Sequence, residues 1–273
     1  MDMDALGNWK EAVLRDYPKL SLNDTIRFSC HKGLECFNQC CADVNIFLTP
    51  YDILRMKKRL KITSDEFLQE YTSSITLDSK RLPAVILKMA KNERKTCPFV
   101  SRDGCTVYED RPWSCRMYPI GMASPDKNSG KSLEEFYFVV DHELPCMGFN
   151  ENKEWTIKEW KENQGADIYD IKGQPYKEVT LHDFFLRGNH LTPEKSEMFY
   201  MACYNLDKFK RFLFESRFLN IFDIDKTIIE KIRSDDDALL DFGYKWIRFS
   251  LFGEAVIKVK ENIFEEKKRE LGL

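Results

Sequence analysis

Eight of the nine cysteines in this chain fall within residues 1–150, and they are the residues whose type and spacing could do chemistry. Four lie within twelve residues as Cys30-x5-Cys36-x3-Cys40-Cys41. Cys97, Cys105 and Cys115 form a second group, and Cys146 follows after a gap of thirty residues. Four thiols so close share neither the period of a helix face nor that of a strand, so they are not a buried-core pattern. Thiolate sulfur is the natural ligand of zinc and of iron–sulfur clusters, and the metal itself deprotonates the thiol.

Zinc knuckles favour C-x2-C spacing, and none of the intervals here matches it. A cluster of several irons spreads its ligands over a larger volume and accepts irregular spacing. Cys30, Cys36, Cys40, Cys41, Cys97, Cys105, Cys115 and Cys146 are therefore candidate metal ligands. An iron–sulfur cluster of the 4Fe–4S type is the favoured cofactor, with zinc as the alternative. Adjacent side chains rarely point the same way, so Cys40 and Cys41 are not expected to ligate one tetrahedral ion. Either they serve two centres, or one ligates and the other supports it. Eight thiols suffice for two four-thiolate centres without requiring two.

His31 and His142 stand near cysteines and are read as neighbours rather than ligands. Arg111 and Arg116 flank Cys115 and are candidate cofactor-binding residues, able to donate to cluster sulfurs or hold an anionic ligand; an ion pair with Glu109, Asp110 or another acid is the plainer reading. Trp113 and Tyr118 are expected to pack around the site and shield it. Cys203 falls within an amphipathic helical pattern and is expected in the core. No residue stands out as catalytic.

These side chains must be positioned by short elements. Thr49-Pro50-Tyr51-Asp52 offers a helix cap, a proline at the first helical position and an acid reaching back. Thr63 with Glu66, and Thr156 with Glu159, repeat the capping pattern. Ala84–Met89 and Phe136–Val140 read as strands. Asp103-Gly104, between Phe99-Val100 and Cys105-Thr106-Val107, predicts a tight hairpin. Further on, Thr192-Pro193 begins an amphipathic pattern running through Tyr200, Leu206, Phe209 and Phe212. Ser234 to Asp237 can begin another, and Ala255 to Leu271 can form a last helix. Phe212, Phe214, Phe218 and Phe222 read as a core stripe.

The expected fold is α+β, mainly α. A cysteine-rich, metal-stapled zone with a small antiparallel sheet occupies 1–150. A connector covers 151–190, and an α-helical region over 191–273 packs on the first zone. The chain has 273 residues, 43% of them apolar, with 42 Lys+Arg against 45 Asp+Glu and a net charge of −3. That balance lacks the basic excess of a dedicated nucleic-acid binder. Met1-Asp2-Met3-Asp4 is acidic, so a secretory leader is not expected, and no apolar run approaches membrane-spanning length. A cytoplasmic, reducing setting follows, in which clustered cysteines read as metal ligands rather than disulfides.

Phe28-Ser29-Cys30…Cys36…Cys40-Cys41, followed by Phe47-Leu48-Thr49-Pro50-Tyr51-Asp52-Ile53, resembles the YkgJ-type cysteine-cluster family. The string Cys97-Pro98-Phe99…Gly104-Cys105-Thr106-Val107-Tyr108-Glu109-Asp110-Arg111-Pro112-Trp113-Ser114-Cys115-Arg116-Met117-Tyr118-Pro119 resembles it too, as does Cys146-Met147-Gly148-Phe149 with Trp155–Glu159. The likeness covers about 28–160. It implies a zinc- or iron-chelating domain, and flagellin N-methylases, which modify lysines, carry a related pattern. This chain departs from the compact C-x2-C-x2-CC form in its first two gaps, at Cys30 and Cys36.

Three functions follow as expectations: an iron–sulfur protein with a redox, accessory or maturation role; a lysine N-methylase-like enzyme carrying a cluster; or a structural zinc module. A protein partner or protein substrate is expected, and neither nucleic acid nor membrane. No G-x-G-x-x-G loop occurs for a methyl donor. Cys36-x3-Cys40 lacks the third cysteine of a radical-type motif, because Asp43 stands there. Gly130-Lys131-Ser132 reads as a surface loop.

Overall fold

The computed structural model describes residues 15–77, 82–123, 135–140 and 146–263. His142, Gly130, Lys131 and Ser132 lie outside them. The chain packs as two units: residues up to Arg59, with Tyr71–Ser73 and Val85–Lys172, form the first; Leu60–Glu70, Ser74–Ala84 and the chain from Gly173 onward form the second.

The first unit carries the cysteines on short antiparallel pairs. Strand β1 (Thr25–Arg27) pairs with β9 (Glu154–Thr156), Ile26 facing Trp155. Strand β2 (Phe47–Leu48) pairs with β4 (Leu82–Leu87) through Leu48 and Val85. Strand β5 (Val100–Ser101) turns through Arg102-Asp103 into β6 (Gly104–Cys105). Gly104 takes φ 116, which only glycine adopts freely, and this closes the expected hairpin. Strand β7 (Ile120–Ala123) pairs with β8 (Phe136–Val139).

Helix caps lie where the sequence places them. Helix α1 (Pro50–Leu60) opens with Asp52 accepting from the Thr49 N–H at 2.7 Å while the Asp52 N–H reaches Thr49 Oγ1 at 3.2 Å. Helix α4 (Ile157–Gln164) opens on a reciprocal Thr156–Glu159 capping box and ends at Gly165, φ 62. Helix α3 (Trp113–Met117) carries Cys115. Between the pairs lies one apolar cluster of Ile26, Phe28, Met117, Ile120, Tyr137, Ile157, Trp160 and Ala166. The Phe28 ring is its hub, edge-on to Tyr118, Phe149 and Trp160 at 5.2–5.9 Å. Removing one such ring from a core costs about 3–5 kcal/mol. The span 151–190 is mostly helical, in α4, α5 (Asp167–Thr180) and α6 (Asp183–Leu186).

The second unit is helical. The pattern expected to run unbroken from Thr192 divides into α7 (Pro193–Cys203) and α8 (Leu206–Glu215). The break has a cause at Asn205: its side chain accepts from the Lys208 N–H at 3.0 Å and donates to Asp65 at 2.6 Å, so it caps a new helix instead of continuing the old one. Helix α11 (Asp236–Phe252) passes α7 closely enough that a Cβ on Gly243 would lie 2.5 Å from the Ala202 carbonyl oxygen. Phe212, Phe218 and Phe222 pack on Trp246, while Phe214 meets the Arg233 guanidinium.

The expected last helix is corrected at its start. Gly253 at φ 74 ends α11, and Lys258–Val259 is a strand (β11) paired with Phe222–Asp223 (β10). Pairing to a distant strand overrides the local helical pattern there; residues 264–273 lie outside the described ones. Among the described residues, no helix is long and apolar enough to cross a membrane.

Candidate metal centre

All eight clustered cysteines carry free thiols, and the backbone gathers them into two neighbourhoods. In the first, the Ser29 N–H donates to the Gly148 carbonyl at 3.0 Å and the Phe28 N–H to the Lys153 carbonyl at 2.9 Å, so Cys30 is stitched beside Cys146. The Met147 N–H donates to Cys36 Sγ at 3.3 Å. Burial pushes the Cys30 thiol up to about 11, reinforced by Cys40, Cys146 and Cys36 in turn. Tyr118 closes this neighbourhood. Burial and a hydrogen bond to Cys146 push its phenol far up, with Cys40 and Cys30 adding to the effect.

In the second neighbourhood, the Cys97 N–H donates to the Cys41 carbonyl at 2.7 Å, beside an Ala42–Thr96 bridge. The β5–β6 hairpin sets Cys105 opposite Val100, whose own N–H returns to the Cys97 carbonyl at 3.2 Å. Helix α3 supplies Cys115. Burial raises the Cys97 thiol, with Cys105 next to it. Burial also raises Cys115 to about 12, helped by Cys97, Asp52 and Cys105 and opposed by Arg111. Cys115 is open to solvent at its surface although protein packs densely around the sulfur; the opening governs what can reach it, the packing its charge.

The vicinal pair joins the two groups. Cys40 and Cys41 share a 3₁₀ turn, Gln39–Cys41, and the Cys41 thiol hydrogen-bonds the Cys40 sulfur. That bond draws Cys40 down to about 7 and pushes Cys41 strongly up. Beyond Cys40, the thiols acting on Cys41 are Cys115 and Cys97.

The donor chemistry fits a thiophilic metal. Burial first, and neighbouring thiols after it, raise Cys30 and Cys115, and a bound cation would offset both while deprotonating each thiol. The Met147 N–H aimed at Cys36 Sγ is the kind of outer contact that orients and tunes such ligands. Among the described residues, no three His, Cys, Asp or Glu side chains are arranged to hold a single ion as they stand.

The flanking arginines are engaged with protein groups. Buried Arg116 donates to the carbonyls of Arg111 at 3.1 Å, Gln164 at 2.7 Å and Glu109. Arg111 donates to the Tyr108 carbonyl at 2.5 Å and Gln164 Oε1 at 2.6 Å, and its charge also bears on Cys105 and Cys115. Asp110 pairs with Arg55 at 2.5 Å. His31 is a neighbour: Nδ1 accepts from the Gly33 N–H at 3.1 Å and Nε2 faces Glu151 at 3.5 Å. Trp113 donates through Nε1 to Asp170 at 2.7 Å. Cys203 is fully buried in the second unit.

Residues 29–136 match the family model CxxCxxCC, the putative zinc- or iron-chelating domain. This segment is similar to that cysteine-cluster family. The CxxCxxCC segment carries seven of the clustered cysteines and stops short of Cys146, which the backbone bonds at Ser29 and Cys36 bring back to it. Comparison with curated proteins and with solved structures returned no match. Metal binding by cysteines is what the match supports for the domain.

Two participants were not singled out in the sequence. The Met147 N–H is backbone and leaves no residue-type signal. Asp52 looks like a capping acid, which it is, but it is also buried, accepts from the Trp113 N–H at 2.8 Å and adds negative charge near Cys115. Burial raises its carboxyl, against the hydrogen bonds from Thr49 and Trp113.

Proposed function

We propose that this protein binds an iron–sulfur cluster of the 4Fe–4S type through thiolates drawn from Cys30, Cys36, Cys40, Cys41, Cys97, Cys105, Cys115 and Cys146, and serves a redox, accessory or maturation role. The observation that carries the reading is the all-sulfur donor set, held at irregular sequence spacing on separate strands and turns, with the Met147 N–H donating to Cys36 Sγ at 3.3 Å. Hydrogen bonds to ligand sulfur and partial burial are what set the potential of such clusters. Arg111, whose charge bears on Cys105 and Cys115, offsets negative charge at that end of the site.

When bound, the cluster would supply one-electron chemistry. The chain's own part is to hold the sulfurs, to keep the Phe28 and Trp160 side dry, and to present Tyr118 to Cys146. Metal and acid-labile sulfide content, with a visible spectrum, on protein purified without oxygen tests this. Iron with matching sulfide is the expected result; zinc without sulfide would replace the cluster with a structural zinc site. Cys203→Ser should retain full metal, whereas Cys40→Ser and Cys115→Ser should each lose it.

A further inference from the structure

We propose that His182 is a pH-operated latch between the start of α6 and the end of α11. With its ring neutral, His182 holds both elements. Once the ring is protonated, it keeps its hold on Glu254 and releases the first turn of α6. The latch lies wholly in the second unit and stands or falls apart from the reading that the thiols take a metal.

Three contacts fix the ring. Its Nδ1 accepts from the Phe184 N–H at 3.1 Å, which makes His182 the cap of α6. Its Nε2 lies 3.0 Å from Glu254 Oε1. Its face stacks on the Phe252 ring, with centroids 4.0 Å apart and planes 3° from parallel. An imidazole nitrogen that accepts carries no hydrogen, so the neutral ring bears its proton on Nε2 and donates it to Glu254. Glu254 is itself held: Arg248 donates to its Oε2 at 2.8 Å through Nε and stands 2.6 Å from it through a second nitrogen. Glu254 follows Gly253, the left-handed residue that ends α11, so the latch grips that helix at its terminus.

The two nitrogens respond to acid in opposite ways. The second proton goes to Nδ1, and a nitrogen that bears a hydrogen no longer accepts, so the Phe184 N–H loses its partner. The Nε2–H bond to Glu254 becomes an ion pair and strengthens. Charged groups around the ring set where this happens. Glu254 favours the imidazolium, while Arg248, on the same carboxylate, opposes it. Glu178 bears on Arg248 in turn, Asp183 follows His182 in the chain, and Lys195 lies 6.0 Å from the Phe184 ring. The His182 side chain is 27% exposed, so a proton reaches it without unfolding. Helix α6 sets Phe184 and Phe185 against Phe252, ring centroids at 5.5 and 5.7 Å, and loss of the cap loosens the turn that seats them.

The test follows the full chain by NMR between about pH 8 and pH 5, the range over which histidines change charge. At the upper end, the ring nitrogen shifts should place the His182 proton on Nε2. As the ring protonates, exchange protection of the Phe184 amide, corrected for the intrinsic pH dependence of exchange, should fall about fivefold, the worth of an ordinary cap. Asparagine caps helices without titrating, so His182→Asn should abolish the response. Glu254→Gln removes the charge that favours the imidazolium and should move the response to lower pH. A proton on Nδ1 at the upper end, or Phe184 protection that stays constant while the ring titrates, overturns the latch. A response of wild-type size in His182→Asn overturns it as well, because another group would then be the sensor. Should a variant not fold, the wild-type tautomer and the wild-type Phe184 protection decide.

Discussion

The Ser29 N–H donates to the Gly148 carbonyl at 3.0 Å, and this single bond holds the Cys30 turn against the Cys146 turn across more than a hundred residues of sequence. Gly148 has no room for a side chain: a Cβ there would lie 2.7 Å from the Phe28 ring and 3.0 Å from the Ser29 oxygen. Gly148→Ala should therefore push the two turns apart. We expect about 1–3 kcal/mol of destabilisation from the overpacking, and weaker metal protection of Cys30 and Cys146. Thermal unfolding of the metal-free protein and thiol protection of the loaded one check both parts. Full metal with unchanged stability would contradict the close approach.

Cys40 should be the most reactive thiol of the metal-free, reduced protein near neutral pH. The hydrogen bond from Cys41 stabilises its thiolate and draws it down to about 7, whereas burial holds Cys30 up at about 11 and Cys115 at about 12. The thiolate is the nucleophile, so the Cys40 alkylation rate should rise with pH and level off above 7 while the other two lag. Cys41→Ala removes the donor and should move the Cys40 inflection upward. Peptide-resolved alkylation rates measure this; equal rates at Cys40 and Cys30 at neutral pH would refute it.

Arg116 should resist replacement even by lysine. Its planar fork serves the carbonyls of Arg111, Gln164 and Glu109 and the Tyr169 hydroxyl, and its guanidinium lies 4.4 Å from the Tyr169 ring. A lysine ammonium cannot span these partners and leaves buried acceptors unpaired. Arg116→Lys should lose on the order of 2–4 kcal/mol in denaturant unfolding. A change within about 0.5 kcal/mol, the range of an ordinary surface substitution, would show that the fork does not support the fold.

Asp65 should contribute an acid-sensitive part of the second unit's stability. Hydrogen bonds from Asn205 at 2.6 Å and Arg211 at 2.8 Å hold its carboxyl below the usual carboxylate range. A depressed carboxyl stabilises the fold above its unfolded pKa, near 4, and that contribution fades as pH falls through the lower folded value. Wild type should exceed Asp65→Asn at neutral pH, and the gap should close on acidification. Both side chains of the Asp65–Arg211 pair are about half exposed, so the gap should be small and salt-sensitive. A gap that is unchanged from pH 7 to pH 2 would place its origin elsewhere than in ionisation.

Local signals carried far in this chain. The Thr49–Asp52, Thr63–Glu66 and Thr156–Glu159 caps, the hairpin at Gly104, the buried Cys203 and the cysteine-rich zone all rest on interactions within a few residues, which composition and spacing express directly. The CxxCxxCC resemblance likewise follows from residue strings. The tertiary structure alone decided the rest. Asn205 ends one helix and starts another because Ser64 and Asp65, some 140 positions away, meet its side chain. Lys258–Val259 is a strand because Phe222–Asp223 lies beside it. Cys97 lies beside Cys41, and Cys146 beside Cys30, because the Cys97 N–H reaches the Cys41 carbonyl and the Ser29 N–H the Gly148 carbonyl. Spacing in sequence fixes which cysteines are neighbours along the chain; only the long-range backbone hydrogen bonds bring the distant ones together.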